Sequence, residues 1–101
     1  MLTLQVERDG DVTTIRVAGE VDMATAPQLA ECVDDVIGSG AAKVVIDCAD
    51  LEFMDSTGIN VLIRAWDAMR DRASMPVVVT NLRPNVQRAL EVCGVTDLLT
   101  E

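Results

Sequence analysis

The spacing of hydrophobic positions changes period several times along the 101 residues. Leu2, Leu4 and Val6 alternate with polar neighbours. Thr13, Ile15 and Val17 alternate again, with Thr14 and Arg16 on the opposite side. Period two marks half-buried strands, and Asp9-Gly10 between the runs is a hairpin dipeptide. An antiparallel hairpin is expected, with Gly19-Glu20-Val21-Asp22 leading out of it. The period then becomes helical. Leu29, Cys32, Val33, Val36 and Ile37 follow an i, i+3, i+4, i+7, i+8 stripe, and Glu31, Asp34 and Asp35 take the outer face. Thr25 and Gln28 have capping-box spacing, Pro27 suits a first turn, and Gly38-Ser39-Gly40 ends the helix.

Val44-Val45-Ile46 is an uninterrupted apolar run, read as a strand over 43–48 buried on both faces. A loop follows. The next helix starts at Asp55 or Ser56, both good N-cap residues. Ile59, Leu62, Ile63, Trp66 and Met69 form its main stripe. Val61, Ala65 and Ala68 form a second, expected to pack against sheet and helix, with a partner-facing side as the alternative. Pro76 introduces a strand at Val77–Thr80. Pro84 opens a third helix with Val86, Ala89, Leu90 and Cys93 as its stripe and Gly94 at its end. Thr96–Leu99 reads as a last helical turn. The expected architecture is α/β: one domain over 1–101, order β-β-α-β-α-β-α, with helices packed on a mixed sheet of about four strands and right-handed crossovers.

Charge narrows the partners. The formal net charge is −9. Residues 1–58 hold twelve acidic and three basic groups, and residues 59–101 hold five of each, so the whole excess lies in the first half. Such a surface disfavours nucleic acid and anionic membrane, which need a basic patch. It suits a basic protein partner, or serves solubility alone. No apolar run reaches the ~20 residues of a membrane span. The N-terminus lacks the basic start and long apolar core of a signal peptide, so a cytoplasmic location is expected.

Enzymatic signatures are sparse. With no histidine there is no Ser-His-Asp or Cys-His pair. No glycine-rich phosphate loop occurs. Cys32, Cys48 and Cys93 are widely spaced and form no CxxC, so neither a metal site nor a disulfide framework is expected. All three read as reduced core residues. Asp47 sits at a strand end, where receiver domains carry a phosphorylated aspartate. Those domains also need an acidic pair after the first strand and a late lysine, both missing here, so Asp47 is read as a turn cap. Ser56 differs. Its hydroxyl would lie in a first helical turn, beside unpaired backbone N–H groups at the positive end of the dipole. A phosphate there would be tolerated by its own helix and would bring about −1.5 to −2 charges, with Asp55 repelling it. Gly58 would let another protein approach the backbone. The plainer reading makes Ser56 a simple N-cap and Gly58 a packing residue.

At these residues the sequence resembles a family. The run Val44-Val45-Ile46-Asp47-Cys48-Ala49-Asp50-Leu51-Glu52-Phe53-Met54-Asp55-Ser56-Thr57-Gly58-Ile59 is similar to the signature of STAS domains, specifically the bacterial anti-sigma factor antagonists. Gly19-Glu20-Val21-Asp22, the Thr25/Pro27 helix start and Gly94-Val95 add to the likeness. The resemblance implies a partner switch. The unphosphorylated antagonist binds an anti-sigma factor that is also a GHKL-type serine kinase, and a sigma factor is freed. The kinase phosphorylates the motif serine, here Ser56, and a PP2C-type phosphatase reverses it. Asp55, Thr57 and Gly58 would be the immediate interface, with Asp22 near it, and no cofactor, metal or catalytic residue is implied. Many relatives continue past the third helix, and contacts made there do not carry over to a sequence ending at Glu101. STAS subunits of stress-signalling scaffolds and of lipid-transport ATPases share the motif and are the alternatives. A small phosphate- or nucleotide-handling enzyme is a further one.

Overall fold

The computed structural model describes residues 1–100. Strands β1 (Leu2–Asp9) and β2 (Val12–Val21) pair antiparallel from Leu2↔Gly19 to Asp9↔Val12. The loop residues are therefore Gly10 and Asp11, one position beyond the hairpin dipeptide. Helix α1 (Ala26–Gly38) leads to β3 (Lys43–Asp47), which lies parallel to the first half of β2. Strand β4 (Leu51–Met54) lies parallel to the end of β2, pairing Glu20 with Phe53 and Val21 with Met54. Then come α2 (Ser56–Met69), β5 (Val77–Thr80) parallel to β3, α3 (Pro84–Val92) and α4 (Thr96–Leu99). The sheet runs β1-β2-β3-β5, with β4 beside β2.

The order is thus β-β-α-β-β-α-β-α-α, with five strands where about four were expected. β4 escaped the pattern reading because Leu51 and Met54 are buried while Glu52 and Phe53 between them are exposed. That spacing is neither two nor a continuous run. β2 is also longer than its alternation. At Gly19 the backbone turns to φ 104°, and a Cβ there would lie 2.0 Å from the carbonyl oxygen of Met1. Only glycine fits. The register shifts between Gly19 and Glu20, and the strand changes neighbour from β3 to β4. This bulge redirects the end of β2 toward the start of α2.

The core lies on one face of the sheet. Ile15, Val17, Val44, Ile46, Val77 and Val79 point into a cluster with Leu29, Val33, Ile59, Leu62, Val86, Leu90 and Leu99 from the four helices. On the other face Arg16 is exposed and Val45 only half-buried. The expectation that the 44–46 run is buried on both faces is therefore corrected. Val45 stays apolar beside its register partners on that face, half-buried Thr14 and buried Val78. Val61 and Ala65 of the second α2 stripe are buried, whereas Ala68 is exposed. They lie against α1, with which α2 packs.

Two local readings fail. Thr25 makes no side-chain cap to α1. Its hydroxyl instead accepts from the Asp22 N–H at 2.9 Å and donates to the Glu20 carbonyl at 2.9 Å, while the Gln28 amide donates to the Leu2 carbonyl at 3.2 Å. The two side chains of the supposed box are occupied elsewhere. Of the cysteines, Cys48 is buried, Cys32 half-buried and Cys93 exposed just past α3. Cys93 is therefore not a core residue.

Candidate functional site

The site is assembled by the β2–β4 pairing. Val21 and Met54 are register partners, so Asp22 and Asp55 leave adjacent parallel strands side by side; neighbouring strands are about 4.8 Å apart. The Asp55 N–H still donates to the Val21 carbonyl at 3.1 Å. Residues 33 apart in sequence thus share one end of the sheet.

Asp55 is the N-cap of α2, with extended backbone. One of its carboxylate oxygens accepts the Thr57 N–H at 2.9 Å and also the Thr57 hydroxyl. These bonds favour the ionised form. The Thr57 hydroxyl, followed by the backbone N–H groups of Thr57 and Gly58, holds Asp55 below the usual carboxylate range against a smaller opposing effect of burial. Asp22 caps its own turn, accepting the N–H groups of Ala24 at 2.9 Å and Thr25 at 3.1 Å.

The two adjacent hydroxyls have different fates. Thr57 is half-buried and bonded to Asp55. Ser56 is exposed, and its hydroxyl has no hydrogen-bond partner among the described residues. The N-cap role considered for Ser56 belongs to Asp55. Gly58 is buried, and a Cβ there would meet Val21 Cγ1 at 2.6 Å and Met54 Cγ at 2.8 Å. The close approach that Gly58 permits is that of α2 to the ends of β2 and β4. It sets the Ser56 turn down on the sheet.

The turn has apolar neighbours that sequence reasoning did not single out. Met23, next to Asp22, is 79% exposed, and Phe53, two residues before Asp55, is 44% exposed. The available signal was a large apolar side chain placed among Glu52, Asp55 and Asp22. Asp47 lies in a different turn. Its carboxylate accepts the Asn81 amide and the Ala49 N–H, both at 3.0 Å, and Arg16 Nε lies 3.7 Å away. Asn81, with lesser help from Ala49 and Arg16, holds Asp47 below its ordinary range, although burial opposes the shift. The turn-cap reading of Asp47 matches this geometry. Among the described residues no group of three or more Cys, Asp and Glu is placed to hold a metal ion, and no helix is long and apolar enough to cross a membrane.

The fold that presents this serine is shared with solved structures. A crystal structure of an anti-sigma factor antagonist from Mycobacterium paratuberculosis superposes with a TM-score of 0.84 at 26% identity, covering 98% of this chain and 83% of that one. The unphosphorylated anti-sigma factor antagonist SpoIIAA gives 0.82 at 22% identity, covering 97% and 86%. In sequence, the anti-sigma-B factor antagonist of Listeria monocytogenes is 34% identical over 93 residues, spanning 92% of this chain and 81% of the relative. The family model of the STAS domain matches residues 3–100. With both the fold and nearly the whole sequence in agreement, the chain belongs to the STAS domain family.

Proposed function

We propose that this chain is an anti-sigma factor antagonist switched off by phosphorylation of Ser56. The observation that carries the reading is the contrast at the start of α2: Ser56 is exposed with a free hydroxyl, whereas the neighbouring Thr57 hydroxyl is bound to Asp55. The relatives named as anti-sigma-B factor antagonists support the same reading. The unphosphorylated chain binds an anti-sigma factor across Ser56, Thr57 and the adjoining Asp55 and Asp22, and so frees a sigma factor in the cytoplasm. Gly58 seats the turn. The partner is itself the GHKL-type serine kinase, and a PP2C-type phosphatase restores the serine. The chain acts by binding and not by catalysis.

The switch is electrostatic. Phosphate adds about −1.5 to −2 charges at pH 7. Here it would stand next to Asp55, whose strand end adjoins that of Asp22, so two carboxylates already share that end of the sheet. Burying a dianion against a partner without matching cations is prohibitive. A pull-down from native extract, with and without ATP, tests the reading. Without ATP an anti-sigma factor should be retained. With ATP it should be released, and mass spectrometry should find phosphate on Ser56. Thr57→Ala should still be phosphorylated. Phosphate on Thr57, or undiminished labelling of Ser56→Ala, would sink the assignment.

A further inference from the structure

A groove of about 710 Å³ runs between α1 and α2, with Thr57 and Met23 at the end that adjoins the Ser56 turn. Its floor is small and apolar: Ala26, Ala30 and Val61. The α1 wall carries Glu31, Asp34 and Asp35, all exposed, and none of them has a cation within salt-bridge distance among the described residues. The α2 wall carries a single cation, Arg64, also without an ion pair. The groove is therefore apolar along its floor and acidic along one side.

We propose that this groove docks a segment of the anti-sigma factor that presents an apolar side chain flanked by lysine or arginine. The inference rests on the function proposed above and extends its interface from the Ser56 turn along α1. Two features select this occupant. The alanine floor leaves room for one inserted side chain, and Met23 at its mouth, 79% exposed, would cover it. The unpaired carboxylates on α1 complement cations on the incoming segment, while Arg64 keeps those cations on the α1 side. A second copy of this chain, carrying the same −9 charge, would meet repulsion.

The test compares two pairs of charge reversals of equal net change. Asp34→Lys with Asp35→Lys alters the groove wall. Glu91→Lys with Asp97→Lys alters exposed positions on α3 and α4, which pack on β4, β5 and each other. The anti-sigma factor recovered from the pull-down, purified and immobilised, is the probe. At low salt the groove pair should slow association roughly tenfold or more, and the α3–α4 pair less than about threefold. Met23→Ala should speed dissociation about tenfold, as loss of an apolar anchor does. Equal effects of the two pairs, or an unchanged dissociation rate for Met23→Ala, overturn the groove while leaving the Ser56 switch standing. If the wild-type chain retains no anti-sigma factor at all, the functional reading falls, and the groove proposal with it.

Discussion

Asp47 and Asp55 each follow the last inward-pointing residue of a parallel strand, and each accepts the backbone N–H two residues further on. From there the two turns diverge. The Asp47 turn is roofed by the β5–α3 connection. Asn81 donates to the Asp47 carboxylate and Arg83 Nε to the Ala49 carbonyl at 3.1 Å, while Asn85, in the first turn of α3, donates to the Glu52 carbonyl of β4 at 2.7 Å. Among the described residues, no side chain from another element bonds to the Asp55 turn. Its outside tie is the backbone bond from Asp55 to Val21. The same carboxylate device thus serves once as an internal joint and once as a presented surface. A group can contribute to binding a partner only where its own fold has left it unspent, and Ser56 is such a group.

The largest expected effect separates the two turns by what they do. Phosphorylation of Ser56 should weaken anti-sigma binding by about a hundredfold or more, since a desolvated, unpaired charge costs several kcal/mol. Ser56→Asp should weaken it less. Both should leave folding stability within about 0.5 kcal/mol, as exposed substitutions usually do. Arg83→Ala and Asn85→Ala should behave in the opposite way. Each loses a hydrogen bond to a backbone carbonyl, on the order of 1 kcal/mol of stability, and binding should change less than about twofold. Denaturant melts beside surface plasmon resonance would expose a clamp variant that harms binding more than stability, and that result would break the distinction.

Gly58→Ala sharpens the comparison from below. A helix interior ordinarily gains up to about 1 kcal/mol from this change. Here the new methyl would press on Val21 and Met54. Val21 is β-branched and has little freedom to yield, and overpacking costs about 1–3 kcal/mol. Net destabilisation is expected in urea melts, together with weaker binding as the Ser56 turn lifts from the strand ends. A more stable variant would show that α2 is not seated by close contact at this point.

The unequal legibility of the two turns follows from the same physics. The Asp55 turn could be read in sequence because its parts are local. An N-cap, a first-turn hydroxyl and an amphipathic stripe all lie within a few positions of one another, and α2 begins at the expected residue. The resemblance carried the rest. Asp47 was legible as a turn cap, but the roof over its turn was not, because its partners Asn81 and Arg83 are more than thirty residues away. Strand β4 was missed for a related reason. Four residues with no alternation become a strand only because Gly19 bends β2 across to meet them. Period and capping are short-range signals, and they also misled where a side chain had a better distant partner. Gln28 reaches Leu2 and leaves the box that its spacing suggested. The helical stripe that ended at Cys93 ran one turn past the buried surface.

The smallest effect concerns protons, and it addresses whether the two carboxylates are held independently. Asp47 is lowered chiefly by the Asn81 amide, and Asp55 chiefly by the Thr57 hydroxyl. Asn81→Gly removes the first bond without steric cost, since Asn81 itself sits at φ 57°, where glycine is at ease. Thr57→Ala removes the second. Each variant should raise the pKa of its own aspartate and leave the other unmoved, as followed by carboxyl chemical shifts between pH 2 and 6. For a carboxylate lowered on folding, the linked stability is present above the unfolded value, about 3.9, and fades as pH falls through the folded one. The deficit of each variant relative to wild type should therefore be largest near neutrality and shrink in acid. Cys48 offers a second reading of the clamp. Burial, aided by the Asp47 charge, pushes its thiol up to about 12, so it should resist labelling while exposed Cys93 reacts readily. Asn81→Gly should quicken Cys48 labelling, because the roof over its turn has lost one tie, whereas Thr57→Ala should not. If both variants quicken it alike, the two turns move as one body, and the contrast between a clamped end and an open end is lost.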